Sequence, residues 1–258
     1  MSAKEYRHIG KSPDRADALE KVTGQATYTG DLEFPGMLHA KCLYSPYARA
    51  EIVSIDISEA KAMPGVKAVL VGEDLPYLVG LYMIDKCILA SGFVRYQGEP
   101  VVAVAAIDEK TAELAVSKIK IEYKQLPSIQ TIDEALEAKI LVHENINELQ
   151  YVKGVFFPQP DSNIASWNKT IRGDIKKGFK EADIIVENEL TLPAVAHVPM
   201  ETHATIAQAD TFTDKVKIWT STQSPFGVRK LLAKALHISI ADVQVIVPFV
   251  GGGFGGKA

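Results

Sequence analysis

Five glycines surround one phenylalanine in Gly251-Gly252-Gly253-Phe254-Gly255-Gly256-Lys257, directly after the β-branched run Val243-Gln244-Val245-Ile246-Val247. Glycine costs backbone entropy, so this density suits only a backbone that bends sharply or approaches something closely. The amides of such a loop can converge on an anion or an oxo group. The stretch fits the dinucleotide fingerprint G-x-G-x-x-G through Gly251, Gly253 and Gly256. That pattern needs a surrounding βαβ unit and a helix opening on the last glycine; neither is expected, and no residue follows Ala258. The stretch also nearly fits a P-loop, with Ala258 where a hydroxyl should hold magnesium. A nucleotide-binding module is thus one reading of the loop.

Two further stretches carry chemistry. His197, Glu201 and His203 lie within seven residues, and imidazole with carboxylate suits zinc or non-haem iron. Their H-x-x-x-E-x-H spacing, interrupted by Pro199, is not the i, i+4 face of a helical zinc motif. The favoured reading is that these groups cap and cross-link strands. Gln223 ends an alternating strand expected over 216–220, with Ser224 as N-cap and Pro225 at the first helical position. Its carboxamide therefore emerges where a strand becomes a helix. His143 in His143-Glu144-Asn145 reads as a solvated loop histidine.

The loop 251–257 resembles the molybdopterin loop of the xanthine dehydrogenase/aldehyde oxidase family, the molybdenum hydroxylases. Trp219-Thr220-Ser221-Thr222-Gln223 resembles the segment where that family places a Gln beside the metal, and the helix expected over 226–237 matches its connecting helix. The resemblance implies that Gln223, Gly252, Gly253, Phe254 and Gly255 bind the cofactor, with Gln223 and Phe254 in the outer coordination sphere of molybdenum. It implies that the Gln223 amide donates to an oxo ligand. The implied cofactor is molybdenum-molybdopterin, the cytosine dinucleotide form included, with iron–sulfur clusters and FAD on partner subunits. The family's basic Glu lies far downstream of the loop, so no catalytic residue is assigned within this chain. Purine-oxidising members carry a Glu after the loop's Lys, where this chain has Ala258. Aldehydes, N-heterocycles, aromatic acyl thioesters and carbon monoxide remain as substrates.

Elements must hold these residues in place. An apolar run at 101–106 reads as a central strand buried on both faces. Asp108 is expected to cap a helix over 109–117. Strands are expected over 37–44, 51–57, 66–71 and 119–123, with one helical turn at 58–62. Beyond them come a short helix at 179–182, a strand over 184–190 and the 226–237 helix, whose inner face would be Phe226, Leu231, Leu232, Ala235 and Leu236. This is an α+β pattern. Turns such as Val22-Thr23-Gly24, Met63-Pro64-Gly65-Val66 and Tyr96-Gln97-Gly98-Glu99-Pro100 resemble the family's α/β hammerhead domain.

The expected organisation is an N-terminal arm at 1–20, a hammerhead domain at 21–126, a linker at 127–165 and the first part of a molybdopterin-binding domain at 166–258. With 47% apolar and 23% charged residues among 258, the chain has ample material for a core. A net charge of −4 without a basic block argues against nucleic acid. Cys42 and Cys87 form no C-x-x-C, so iron–sulfur clusters would sit on partners. No apolar run is long enough to span a membrane, and residues 1–5 lack a signal-peptide core, so the cytoplasm is expected. The expected partners are an iron–sulfur subunit, an FAD subunit and, for a split gene, a chain completing the molybdopterin domain. A non-catalytic assembly subunit is the other alternative.

Overall fold

The computed structural model describes residues 6–258, so the expectation for residues 1–5 lies outside the described residues. The chain divides into two compact units. The larger comprises 34–195 with 234–237; the smaller comprises residues up to Glu33 with 196–233 and 238–258.

Small and β-branched residues determine the larger unit. Its first sheet has three antiparallel strands in the order His39–Tyr44, Pro100–Ala106, Val66–Val71. The central strand is the expected apolar run: ladders flank both its edges, and Val101, Val102, Val104 and Ala106 are buried on its two faces. A second sheet orders Phe93–Val94, Ala50–Asp56 and Lys120–Gln125. Helices Ser58–Ala62 and Glu109–Val116 pack against the first sheet, with Ala60 and Ala115 fully buried at the contact. Alanine is the largest residue that lets backbones approach this closely. Asp108 begins the longer helix as expected, its Oδ1 accepting from the Thr111 N–H at 2.7 Å. That bond holds the Asp108 carboxyl below the usual carboxylate range.

Polar side chains tie down the stretch 127–165. Thr131 and Glu134 form a reciprocal capping box on helix Ile132–Glu137. The Asn163 amide donates to the Ala135 and Ile140 carbonyls, and its oxygen accepts from the Val142 N–H. Strand Gln150–Tyr151 pairs with Met83–Ile84, and the Tyr82 and Phe156 rings stack at 5.6 Å. His143 is not freely solvated; its Nε2 lies 3.3 Å from Asp85 Oδ2 in a half-buried pair.

Two expectations are corrected here. The short helix expected at 179–182 is longer and earlier, Ile175–Glu181, with Asp174 as its cap. The strand expected over 184–190 does not form. A strand needs a neighbouring edge to bond to, and no described strand offers one to this stretch. Its apolar side chains from Ile184 to Leu192 lie between 60% and 89% exposed.

The smaller unit is a three-stranded sheet in the order Thr205–Ala209, Val216–Thr220, Val243–Ile246. The first pair is antiparallel and the second parallel, with helix Pro225–Ala235 crossing between the parallel strands. A βαβ unit is therefore present, contrary to expectation. The glycine loop follows its second strand, whereas the dinucleotide fingerprint lies between the first strand and the helix. Phe226, expected on the helix's inner face, is exposed, as is Leu236. Phe226 borders a groove of about 910 Å³ shared with Gln208, Lys217, Arg229 and Val245. Tyr28 bridges Phe249 in the backbone, with their rings 6.2 Å apart, and so fixes the start of the loop.

Two outcomes test this architecture. Ala115→Leu overpacks the helix–sheet contact and should cost about 1–3 kcal/mol, read as a lower urea midpoint. Asp108→Ala should also lower that midpoint at neutral pH. Because the folded carboxyl is held below its unfolded pKa of about 3.9, the difference from wild type is full above that pH. It should disappear as pH falls through the folded pKa, when wild type loses the cap's charge.

Candidate cofactor site

Parallel pairing of Val216–Thr220 with Val243–Ile246 brings the carboxyl ends of both strands to one edge of the sheet. Ser221-Thr222-Gln223 leaves the first strand there, and the glycine loop leaves the second. Such an edge of an open α/β arrangement is the usual place for a ligand.

Buried hydroxyls fasten the first segment. Thr220 Oγ1 lies 2.8 Å from Thr205 Oγ1, and Ser221 Oγ accepts from the Ala204 N–H at 3.2 Å. Thr222 Oγ1 donates to the Lys257 carbonyl at 3.0 Å and accepts from the Ser224 N–H at 3.0 Å. Ser224 supplies the first helical acceptor through its carbonyl, bonded by the Val228 N–H at 3.0 Å. These hydroxyls were not singled out in the sequence; their run of three at a strand end was the available signal.

Gln223 meets the glycine loop directly. Its N–H donates to the Lys257 carbonyl at 2.7 Å. Its Oε1 accepts from the Gly255 N–H at 2.9 Å and the Lys257 N–H at 3.4 Å. Two backbone donors at one end of the carboxamide identify that end as oxygen. The Nε2 group is left with no protein acceptor among the described residues, and is available to donate. Gly253 is required by this contact, since a Cβ there would sit 2.4 Å from Gln223 Cδ and Oε1. The Gly252, Gly253 and Phe254 amides likewise find no protein acceptor among the described residues. Phe254 takes a positive φ of 51° with its ring exposed, so the backbone turns sharply at the loop crown.

Glu201 holds the loop from beneath. Its Oε2 accepts from Lys257 Nζ at 2.7 Å and from the Gly251 N–H at 2.8 Å. Gly251 is needed because a Cβ would lie 2.5 Å from Glu201 Cβ. The Lys257 side chain is 0% exposed and that of Glu201 12%. A P-loop lysine must reach phosphate, and this one is sequestered. No group of three or more His, Cys, Asp and Glu side chains among the described residues could hold a metal ion, so His197, Glu201 and His203 do not assemble one. The favoured reading placed these groups as caps and cross-links of strands; Glu201 instead cross-links the loop, while the His197 ring lies against Gly256.

Neutral amide donors from Gln223 and the loop crown, without a free cation, fit a group presenting oxo or other uncharged-to-anionic acceptor atoms. They therefore fit molybdopterin with its metal oxo group.

Comparison with known proteins agrees. Residues 156–258 match the family profile described as the molybdopterin cofactor-binding domain. Residues 23–127 match the aldehyde oxidase and xanthine dehydrogenase a/b hammerhead domain. The xanthine dehydrogenase molybdenum-binding subunit of Escherichia coli O157:H7 is 33% identical over 94% of this chain and 32% of its own length. The nicotinate dehydrogenase large molybdopterin subunit of Eubacterium barkeri is 33% identical over 98% of this chain and 56% of its own. Quinoline 2-oxidoreductase from Pseudomonas putida superposes with a TM-score of 0.81 at 33% identity, covering 96% of this chain and 31% of that one. The chain thus spans between about a third and somewhat over half the length of these relatives. It belongs to the xanthine dehydrogenase/aldehyde oxidase family, and carries the hammerhead fold followed by the first part of the molybdopterin-binding domain.

Proposed function

We propose that this chain forms part of the molybdopterin-binding large subunit of a molybdenum hydroxylase, and that Gln223, Gly252, Gly253, Phe254 and Gly255 hold the cofactor. The observation that carries this reading is the set of inward-anchored, outward-free donors: Gln223 Oε1 is used by the loop while its Nε2 is available. When bound, molybdenum-molybdopterin, in its cytosine dinucleotide or another form, supplies two-electron oxidation of a carbon centre with oxygen from water. The chain's residues bind and orient it. Gln223 Nε2 would donate a hydrogen bond to an acceptor atom of the bound cofactor, and the unpaired amides of 252–254 would offer further donors. Gln223 and Phe254 would stand outside the direct ligands of molybdenum. We assign the base to none of residues 1–258.

The substrate is an aldehyde, an N-heterocycle, an aromatic acyl thioester or carbon monoxide. Ala258 stands where purine-oxidising members carry Glu, and relatives named for nicotinate and quinoline favour an N-heterocycle. Electrons pass to iron–sulfur and FAD partners, since neither cysteine of this chain sits in a cluster motif. We assign 1–20 to the arm, 21–126 to the hammerhead domain, 127–165 to the linker and 166–258 to the cofactor domain. The exposed stretch 184–192 has Ile184, Val186, Leu190 and Leu192 at alternate positions. It becomes a strand against polypeptide that carries the rest of that domain, which accounts for the remaining length of the relatives. The complex operates in the cytoplasm; no helix among the described residues is long and apolar enough to cross a membrane.

Elemental analysis of the native complex purified through this chain tests the assignment. Molybdenum together with iron is expected. Iron without molybdenum would support the non-catalytic assembly subunit, and neither metal would return the loop to nucleotide chemistry. In the molybdenum-containing complex, Gln223→Ala should lower kcat by about 10²–10³-fold, as removal of one oriented donor does at other electrostatic sites. Unchanged activity would sink its role. Gly253→Ala, whose Cβ displaces the Gln223 carboxamide, should reduce bound molybdenum while the urea midpoint of the larger unit is unaffected.

A further inference from the structure

Resting on the cofactor assignment above, we infer that Glu201 and Lys257 are positioning residues that set the glycine loop in its binding shape before the cofactor arrives. One oxygen, Glu201 Oε2, accepts from the Gly251 N–H at 2.8 Å and from Lys257 Nζ at 2.7 Å. Those two residues are the opposite ends of the loop. The backbone reinforces the first end, with the Glu201 N–H donating to the Gly251 carbonyl at 3.3 Å. The second end is a junction. The Lys257 carbonyl accepts from the Gln223 N–H and the Thr222 hydroxyl, and its N–H donates to Gln223 Oε1.

Fixing both ends sets the span that 252–256 must cross, and therefore the direction in which the crown amides point. A loop with five glycines in seven residues has unusually much freedom to lose. Left free, it would lose that freedom on binding and weaken affinity. The carboxylate and ammonium remove it during folding. Neither charge acts on a ligand directly, because the Lys257 side chain is wholly buried and Glu201 nearly so. Glu201 Oε1 is buried with no partner among the described residues, so among them the carboxylate is oriented by what Oε2 accepts. A carboxylate retained under these conditions is costly unless its geometry serves something.

The test uses the complex purified through this chain. Its readouts are amide hydrogen exchange across 251–257, molybdenum per complex and the thermal midpoint. Single removal of either charge strands the other in a buried site, so the decisive variant is the apolar pair Glu201→Leu with Lys257→Met, which leaves no orphan charge. It should melt cooperatively, exchange at Gly251 and Gly255 about tenfold faster or more, and lose bound molybdenum. Wild-type exchange with wild-type molybdenum in that folded variant would overturn the inference. Should the pair variant not fold, Glu201→Gln keeps the shape and one acceptor without the charge. Faster exchange at Lys257 than at Gly251 is then expected, and no change at either overturns the inference. If the wild-type complex itself holds no molybdenum, the cofactor reading fails, and exchange alone decides whether the pair sets the loop.

Discussion

A single carboxylate oxygen joins the two halves of the site. Glu201 Oε2 neutralises the buried Lys257 and takes the first amide of the glycine loop. Desolvating two charges is expensive, and their attraction compensates only with good geometry and further hydrogen bonds. Here the geometry comes from backbone. Gly251 allows the Glu201 main chain to come close, and Lys257 is held by both its N–H and its carbonyl against 222–223. The chain of dependence runs from Glu201 to Lys257 to Gln223, and ends on an amide free to donate.

The two units solve different problems. In the larger, Val and Ala side chains form the fully buried centre, larger Ile, Leu, Met and Tyr side chains pack around it, and the core is continuous. In the smaller, fully buried apolar groups are few, Ile218, Ala233 and Val243 among them, and buried polar groups are prominent: Thr29, Thr220, Ser221, Thr222 and Lys257. Its definition comes more from hydrogen bonds than from apolar volume, with Thr220, Ser221, Thr222 and Lys257 bonded and Thr29 Oγ1 left without a partner among the described residues. That trade suits a site, because hydrogen bonds are directional where hydrophobic contact is not.

Local chemistry explains what could be read from the sequence. The central strand, the Asp108 cap, the 58–62 turn and the strand-to-helix position of Gln223 each depend on residues within a few places of one another. The glycine loop announced close approach without saying what approaches; the answers, Glu201 at Gly251 and Gln223 at Gly253, lie 50 and 30 residues upstream. The pairing of Glu201 with Lys257 could not be derived from spacing, since each charge alone resembles ordinary surface. The failed strand at 184–190 shows the converse limit. Its pattern was legible, but a pattern specifies a face and not the edge it must bond to. Residues 127–165 looked sparse because apolar density was the measure, whereas Asn163 and the Thr131–Glu134 box hold them by polar bonds.

The parallel ladder carries a consequence for how such proteins can diverge. Registration of Val216 with Val243 and of Trp219 with Ile246 sets where the two strands end, and so where Gln223 and the loop leave the sheet. The crossover helix between them touches neither partner of that contact through its exposed face. Substitutions on that exposed face leave the cofactor edge in step, while a slip of one residue in the ladder would turn every side chain over and separate the two. The helix's exposed face therefore tolerates change that the four paired rungs do not.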